Sequence, residues 1–204
     1  MDVKIVQVGK SGFPVVPAAP IERIRLYGKG IVAHGEPVLV LNRKGVLTAS
    51  QKQDEVPPSG FYDGVNYHFV TDSVFRPSSF FTRNIRKVQG LFKEVGFLRK
   101  LKQAKGTGYL IVHSMGFGNM LLYRLIASIW NYKFVYQIVE WNAALTSRKK
   151  LKNRISDFFF ERIGLKIVDA YLPISHFLAD TLKERYPGKP QLYVPIICDF
   201  SRFE

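Results

Sequence analysis

Apolar and polar residues along the chain follow two periods, that of buried strands and that of amphipathic helices. Apolar residues at positions 3, 5, 6 and 8, followed by Gly9, predict a strand. Apolar residues at 21, 24, 27 and 31 predict a helix over 21–34 that ends at Gly35. The continuous apolar run over 37–41 is typical of a strand buried on both faces. The chain therefore opens with a βαβ unit, whose first loop follows the carboxyl end of the first strand.

The same alternation continues through the rest of the chain. Turn-forming residues over 48–64 predict a loop or a short hairpin. Further strands are predicted over 65–71, 109–113, 133–139, 168–174 and 191–194, and further helices over 83–105, 120–130, 148–164 and 175–185. Strands that alternate with helices indicate an α/β fold with a Rossmann-like, doubly wound parallel sheet. We expect one such domain over 1–194 and the start of an interdomain linker over 195–204.

The charge and the cysteine content of the chain limit the binding partners and the cellular compartments that suit it. The 204 residues include thirty Lys and Arg against sixteen Asp and Glu, a formal net charge of +14. Such an excess indicates an anionic partner, which is nucleic acid, an anionic membrane surface or a phosphorylated substrate. The single cysteine, Cys198, excludes a disulfide framework within the chain and favours a reducing compartment. The apolar stretch over 109–130 is interrupted by His113, Asn119 and Arg124, and it predicts a strand, a loop and a helix, not a membrane span.

Ordered motifs stand at both ends of the chain. Near the C-terminus these are DAYLPIS over 169–175, a helix with leucines at 178 and 182, YVP over 193–195 and DFSRF over 199–203. Near the start they are Glu22-Arg23, a helix, His34-Gly35 and the strand over 38–41. The set resembles the N-terminal domain of family 4 glycosyltransferases, which have the two-domain GT-B fold. The chain departs from that family where Ala19-Pro20 replace paired glycines, and after His113, where a second histidine or an aspartate is usual.

This resemblance implies a function and a missing half. The chain is expected to be the N-terminal, acceptor-side half of a retaining hexosyltransferase, inactive on its own, that works with a C-terminal donor-binding domain or a separate subunit. The expected reaction transfers a sugar from a nucleotide sugar to an acceptor glycan in surface polysaccharide biosynthesis. A lipid-linked glycan is one candidate for this acceptor. GT-B enzymes need no bound metal, and the sequence contains no Asp-x-Asp pair. We therefore expect no metal and no cofactor, the nucleotide sugar being a substrate.

Five residues near predicted strand ends are candidates for the site. His113 and Glu140 are the catalytic candidates, because each follows or ends a buried strand and can share a proton or orient an acceptor hydroxyl. Gly12, Trp141 and Ser175 are candidates for binding acceptor or sugar, through a close backbone approach, ring stacking and a hydroxyl. Four of the five also have a structural alternative: a core histidine, an ion-paired or capping glutamate, a turn glycine and a helix N-cap serine.

Two basic segments predict contact with an anionic membrane. Arg86, Lys93 and Lys100 recur every seven residues and share one face of the predicted helix, while Val88, Leu91, Phe92, Val95 and Leu98 make the other face. The second segment is Arg148-Lys149-Lys150, ahead of three consecutive phenylalanines. Basic amphipathic helices bind anionic bilayers, and Phe80 and Phe81 are candidates for insertion. We expect a cytoplasmic protein, peripheral on the inner face of the cell membrane; the alternative is a solvated face over an ordinary core helix.

Two other functions compete with sugar transfer. The chain can be a non-catalytic basic module for membrane or nucleic acid, although no zinc ligand set, helix-turn-helix or ribonucleoprotein motif supports nucleic-acid binding. It can also be another Rossmann-like enzyme, such as a methyltransferase. A methyltransferase requires an acidic residue at the end of the second strand, where this chain has Asn42-Arg43-Lys44.

Overall fold

A computed structural model of the chain describes residues 3–48, 51, 56–105, 108–113, 116–141 and 151–195. The chain divides into two compact units, the first ending at Gly108 and the second covering Tyr109–Ile197. Of the residues predicted to bind membrane, Arg148, Lys149 and Lys150 lie outside the described residues, as do positions 196–204 of the predicted linker.

The described residues of the first unit form four strands and two helices. In chain order they are β1 (Ile5–Val8), α1 (Ala19–Ala33), β2 (Val38–Asn42), β3 (Ser59–Tyr62), β4 (Val65–Phe69) and α2 (Phe80–Lys105). The strands lie side by side in the order β3-β4-β2-β1. β1 runs parallel to β2, with Ile5 opposite Val38, and β2 runs parallel to β4, with Leu39 opposite Asn66. Since these three strands are parallel, their carboxyl ends meet at one edge of the sheet.

The segment predicted as a loop or short hairpin forms a hairpin. β3 pairs antiparallel with β4, with Tyr62 opposite Val65, and only Asp63 and Gly64 lie between the strands. Both turn residues have positive φ, 48° and 83°, as a two-residue turn matched to the twist of a hairpin requires. The Asp-Gly pair therefore forms the turn of a hairpin, which is the second of the two structures predicted for this segment.

Apolar side chains from α1 and the strands make the core of the first unit. Ile21 and Ile24 of α1 are buried with Val38 and Val40 of β2 and with the inward-facing residues of β4. β2 is buried along its whole length, which fits its unbroken apolar run. Helix and sheet thus share one hydrophobic cluster, and the loops at the strand ends are built on it.

The buried face of α2 differs from its apolar face, which corrects the prediction from helical periodicity. Gly90, Glu94 and Leu98, spaced four residues apart, are the buried positions of the helix up to residue 102, while Val88 and Phe92 face solvent. A Cβ on Gly90 would lie 2.3 Å from the main-chain oxygen of Arg43, so only glycine permits this close approach. The helix begins at Phe80, three residues earlier than predicted, because the carbonyl of Ser79 accepts the Arg83 N–H at 3.0 Å.

In the second unit, the part of the chain that the structure describes forms three parallel strands and three α-helices. In chain order they are β5 (Tyr109–His113), α3 (Phe117–Trp130), β6 (Lys133–Ile138), α4 (Leu151–Phe159), β7 (Ala170–Pro173) and α5 (His176–Arg185). The strand order is β5-β6-β7, with His113 opposite Gln137 and Gln137 opposite Leu172. After α4 the chain continues in a π-helical turn, Phe160–Gly164, and a 3-10 turn, Leu165–Ile167.

The segment predicted as a strand over 191–194 runs beside β7 without forming a regular strand. Gln191 bridges Tyr171, and the N–H groups of Leu192 and Val194 donate to main-chain carbonyls of β7 at 3.0 Å each. The other predicted elements appear with ends shifted by a few residues. Both units consist of mostly parallel strands joined through helices, which confirms the predicted α/β, Rossmann-like class.

We predict that Gly90→Ala destabilises the protein while Gly96→Ala, on the same helix, does not. The new methyl at position 90 clashes with the Arg43 backbone, and overpacking of this kind costs about 1–3 kcal/mol. At position 96 a Cβ meets nothing within 4 Å, so the helix propensity of alanine stabilises by about 0.5–1 kcal/mol. Urea unfolding of both variants measures the difference. Equal stabilities would contradict the close packing of α2 on the loop after β2.

Candidate functional site

Asn42 organises the carboxyl edge of the first unit. Its side chain is fully buried at the end of β2. The Oδ1 atom accepts the Gly12 N–H at 2.7 Å, and the Nδ2 atom donates to the Phe13 carbonyl at 2.8 Å. One amide thus satisfies a donor and an acceptor of the loop that follows β1, and it holds that loop against the end of the neighbouring strand.

Gly12 lies at a turn where glycine is needed for its backbone. Its φ of +134° is rarely adopted by other residues, and a Cβ there would lie 3.0 Å from the Val16 side chain. Its N–H is bonded to Asn42 and the residue is buried. The structure therefore gives Gly12 the place of a turn glycine, and its contact with sugar or acceptor stays a prediction.

The loops after β2 and β4 are tied to each other and to α2. The amides of Val46 and Leu47 both donate to the Val74 carbonyl, at 2.8 and 3.0 Å. A Cβ on Gly45 would lie 2.3 Å from the main-chain oxygen of Phe75, so the two backbones touch. Arg43 Nε donates to the buried carboxylate of Glu94 on α2 at 2.5 Å. These contacts fix the relative positions of three chain segments.

A cavity of about 150 Å³ opens between these segments, and it is lined by cations. We call it the cationic cavity; its charged residues are Lys44, Arg76, Arg83, Arg86 and Lys87. The described lining residues include no Asp and no Glu. Of this set, the sequence pattern marked only Arg86 as a binding residue. The other four stand at positions 44, 76, 83 and 87, which no local motif connects.

The electrostatics of Lys44 reflect this crowding. Partial burial lowers the pKa of its ammonium group, and the nearby cations Lys87, Arg76 and Arg43 lower it further, in that order. The shift means that the protein without an anion disfavours the charged form of this lysine.

Two of the cations predicted to bind membrane have partners within the protein. Lys93 donates to the carboxylate of Asp72 at 2.6 Å, and this hydrogen bond is the main cause of the lowered pKa of Asp72. Arg86 donates to the Thr71 carbonyl at 3.1 Å and lines the cationic cavity. Lys100 is exposed near the end of α2. None of the helices in the described part of the chain combines the length and the apolarity that crossing a bilayer requires.

His113 ends β5 as predicted, but it is only 2% exposed. Its Nδ1 atom forms a hydrogen bond with Oε1 of Gln137, the residue opposite on β6. The Nε2 atom of Gln137 is buried and has no partner within the described part of the chain. The structure shows a core histidine in a polar pair, and a catalytic role for it stays a prediction.

Glu140 and Trp141 follow β6 directly. Glu140 is exposed and Trp141 is half-buried, with the Arg185 guanidinium over its ring at 4.7 Å from the ring centroid. Ser175 is the N-cap of α5, since its hydroxyl accepts the Leu178 N–H at 3.3 Å. Because β5, β6 and β7 are parallel neighbours, residues that follow them gather at one edge of the second unit. This edge carries an exposed carboxylate beside an aromatic ring.

Comparison with solved structures defines the class of fold. UGT2 of Phytolacca americana, in complex with UDP-2fluoro-glucose and pterostilbene, matches with a TM-score of 0.61 and 12% sequence identity over 98% of this chain. The apo form of the same protein matches with a TM-score of 0.60 and 13% identity. The chain spans 55% and 53% of those two chains, about half of their length. No protein-family model matches the sequence, and no curated protein matches it.

These similarities show that the chain has the fold of part of a GT-B glycosyltransferase. Identities this low show the fold alone. The predicted membership of family 4 is not shown by the comparisons.

We predict that Asn42→Ala destabilises the protein by about 2–6 kcal/mol, because the buried Gly12 N–H and Phe13 carbonyl each lose a partner at a cost of about 1–3 kcal/mol. Asn66→Ala is the control, since the Asn66 side chain makes a longer, half-buried bond of 3.4 Å to the Val38 carbonyl. Chemical denaturation of both variants gives the comparison. A loss at position 42 no larger than at position 66 would refute the organising role of Asn42.

Proposed function

We propose that the chain is the acceptor-side half of a glycosyltransferase that uses a nucleotide sugar. The observation that carries the proposal is the match over 98% of the chain to about half of a UGT2 chain from Phytolacca americana that was solved with UDP-2fluoro-glucose. A GT-B enzyme binds its two substrates with two Rossmann-like halves. This chain supplies one of them, and a C-terminal domain or a separate subunit supplies donor binding.

The motifs at the two ends of the chain support a finer version of this proposal. They favour family 4 and therefore a retaining hexosyl transfer to an acceptor glycan, within surface polysaccharide biosynthesis. The donor half stabilises the leaving diphosphate electrostatically, and no metal or cofactor is needed for that step. The isolated chain is inactive, because this chemistry requires both halves.

Glu140 is the residue we assign to the acceptor. Its exposed carboxylate follows β6, at the edge where ligands of parallel sheets bind, and it can accept a hydrogen bond from an acceptor hydroxyl. The half-buried ring of Trp141 beside it offers a face for a sugar. The buried pair of His113 and Gln137 lies under the same edge, and Ser175 caps the helix that follows the next strand.

We predict that Glu140→Gln lowers kcat for sugar transfer at least about 100-fold, with little effect on stability, because the amide is a poorer proton acceptor. The assay uses the chain together with its donor-binding half, nucleotide sugars such as UDP-glucose, and a membrane extract as the source of acceptor. It follows the release of nucleoside diphosphate.

Glu184→Gln is the matched control, since Glu184 is an exposed carboxylate like Glu140 and lies near the C-terminal end of α5. A Glu140→Gln enzyme as active as this control would remove Glu140 from the mechanism. Absence of sugar transfer with every nucleotide sugar would instead count against the proposed function.

The solvent-facing side of α2 supports attachment to an anionic membrane. Phe81, Ile85, Val88 and Phe92, at successive spacings of four, three and four residues, lie on one face and are all more than half exposed. We call this face the apolar stripe. Arg86, Lys93 and Lys100 lie along one side of it. Such a surface suits a peripheral protein on the inner face of the cell membrane, where a lipid-linked acceptor is found.

The free energies of side-chain burial and of electrostatic attraction are large enough for this attachment to a membrane. Burial of a Phe or Ile side chain is worth about 1.5–3 kcal/mol, and a cation close to an anionic surface adds about 1 kcal/mol. Lys93 keeps its partner Asp72, so the stripe contributes more than this lysine does. A basic module without catalysis would show the same membrane binding, and the transfer assay separates it from an enzyme.

We predict that the double variant Phe81→Ser with Phe92→Ser lowers partitioning onto vesicles of phosphatidylcholine and phosphatidylglycerol at least about tenfold, because both rings lose their burial in the bilayer. Phe177→Ser is the control, since Phe177 is 70% exposed on α5, close to the 71% of Phe92. Vesicle sedimentation measures the bound fraction. Equal partitioning of the double variant and the control would remove the apolar stripe from membrane binding.

A further inference from the structure

We propose that the cationic cavity binds the phosphate or diphosphate group of a lipid-linked acceptor. The proposal rests on the proposed function for the role of this lipid as acceptor, whereas binding itself is a property of the cavity. It deepens that function because it names the chemical class of the acceptor.

The charge of the cavity requires an anion. Lys44, Arg76, Arg83, Arg86 and Lys87 line it, and the described lining residues include no carboxylate. Two carboxylates on the adjoining segments already have cationic partners: Asp72 binds Lys93, and Glu94 binds Arg43. The repulsion inside the cavity is therefore not relieved by these ion pairs.

The chemistry of the lining suits phosphate in particular. Guanidinium groups offer paired donors that match phosphate oxygens, and lysines add point charges. Arg86 already directs one donor to the Thr71 carbonyl at 3.1 Å, which restricts its rotamer, and Arg83 packs over the Phe80 ring at 5.9 Å. The donors are thus partly arranged before an anion arrives.

The cavity is held by a stiff frame. Lys44 lies between Arg43, which is paired with Glu94, and Gly45, which is packed against the Phe75 backbone. The Arg76 N–H donates to the Leu47 carbonyl at 2.7 Å and ties the second segment to the first. Cations from the three segments therefore stay close together although they repel each other. Preorganised sites of this kind bind ligands well, because folding has already brought the donor groups together.

The size of the cavity decides which part of a ligand it holds. Small-molecule pockets usually measure about 300–1,000 Å³, whereas this one measures about 150 Å³. A water in the liquid takes about 30 Å³, so the cavity has room for a group of a few heavy atoms. One or two phosphate groups fit this space, while a whole nucleotide or a sugar chain does not.

The position of the cavity favours a substrate as the source of the phosphate. Lys44 and Thr71 each lie two residues beyond the ends of β2 and β4, at the ligand-binding edge of the sheet. The cavity's three cations from α2 project from the side of the helix that faces these loops, whereas the apolar stripe lies on the opposite side. The choice of a lipid as the carrier of the phosphate therefore rests on the proposed function.

Direct binding of inorganic pyrophosphate tests the cavity without the enzymatic reaction. Calorimetry is carried out on the wild-type chain, on the double variant Lys44→Gln with Lys87→Gln, and on a matched control, Lys133→Gln with Lys183→Gln. The control removes the same two charges from exposed positions in the second unit. We expect the cavity variant to weaken pyrophosphate binding at least about tenfold and the control to change it less than about twofold. Equal weakening, or no binding to the wild type, overturns the proposal.

Thermal unfolding shows whether the variants are folded. Because the cations repel each other, we expect Tm of the Lys44→Gln, Lys87→Gln variant to be equal to or above that of the wild type. Loss of binding with an unchanged Tm then reports on the site.

Three further probes identify the source of the phosphate. Vesicles with phosphatidic acid expose a phosphate monoester, whereas vesicles with phosphatidylserine at equal surface charge do not. We expect the wild type to prefer phosphatidic acid and the cavity variant to bind both equally. If the wild type binds UDP more tightly than pyrophosphate and the cavity variant does not bind UDP, the cavity belongs to the donor site. Preference for a short DNA duplex over both vesicles would indicate a nucleic-acid site.

These readouts separate the two proposals. If no sugar transfer is found but pyrophosphate binding depends on Lys44 and Lys87, the cavity stands and the enzymatic function fails. If transfer to a lipid acceptor is found and the cavity variant retains its KM for that acceptor, the function stands and the cavity assignment fails.

Discussion

The ion pair between Arg43 and Glu94 is the interaction on which the arrangement of the first unit depends. Glu94 is only 1% exposed, and a buried carboxylate without a cationic partner is strongly destabilising. The pair therefore fixes which side of α2 faces the loop after β2. Once Glu94 faces inward, Gly90 must face inward one turn earlier, and the apolar stripe must face solvent. One buried charge thus determines both the cationic cavity and the exposed apolar surface.

The strands and most helices could be predicted because their patterns are local. β2 and β5 are nearly continuous apolar runs, and the glycine after α1 marks its end. The segment over 191–194 could not be predicted in the same way, because it has strand-like residues and hydrogen-bonds to β7 but does not form a regular strand. Whether extended residues join a sheet depends on the neighbouring strand, which the local pattern does not contain.

The buried face of α2 could not be found from periodicity for a different reason. Periodicity assumes that apolar residues face the core, whereas α2 buries a glycine and a glutamate and exposes Val88 and Phe92. A glycine permits close approach and an ion pair permits burial of charge, and both depend on a partner distant in sequence. The same holds for the cationic cavity, whose residues come from positions 44, 76 and 83–87. Of the candidates chosen from the sequence, Ser175 is a helix cap and Gly12 a turn glycine, and both alternatives had been recognisable from residue type.

The lowered pKa of Lys44 couples occupancy of the cavity to protons. In the protein without an anion, burial and neighbouring cations favour the neutral amine, and a bound anion favours the ammonium form. At pH values between the pKa of Lys44 in the empty cavity and its higher pKa with an anion bound, binding of phosphate takes up a proton. In that pH range the heat of binding depends on the buffer that supplies the proton.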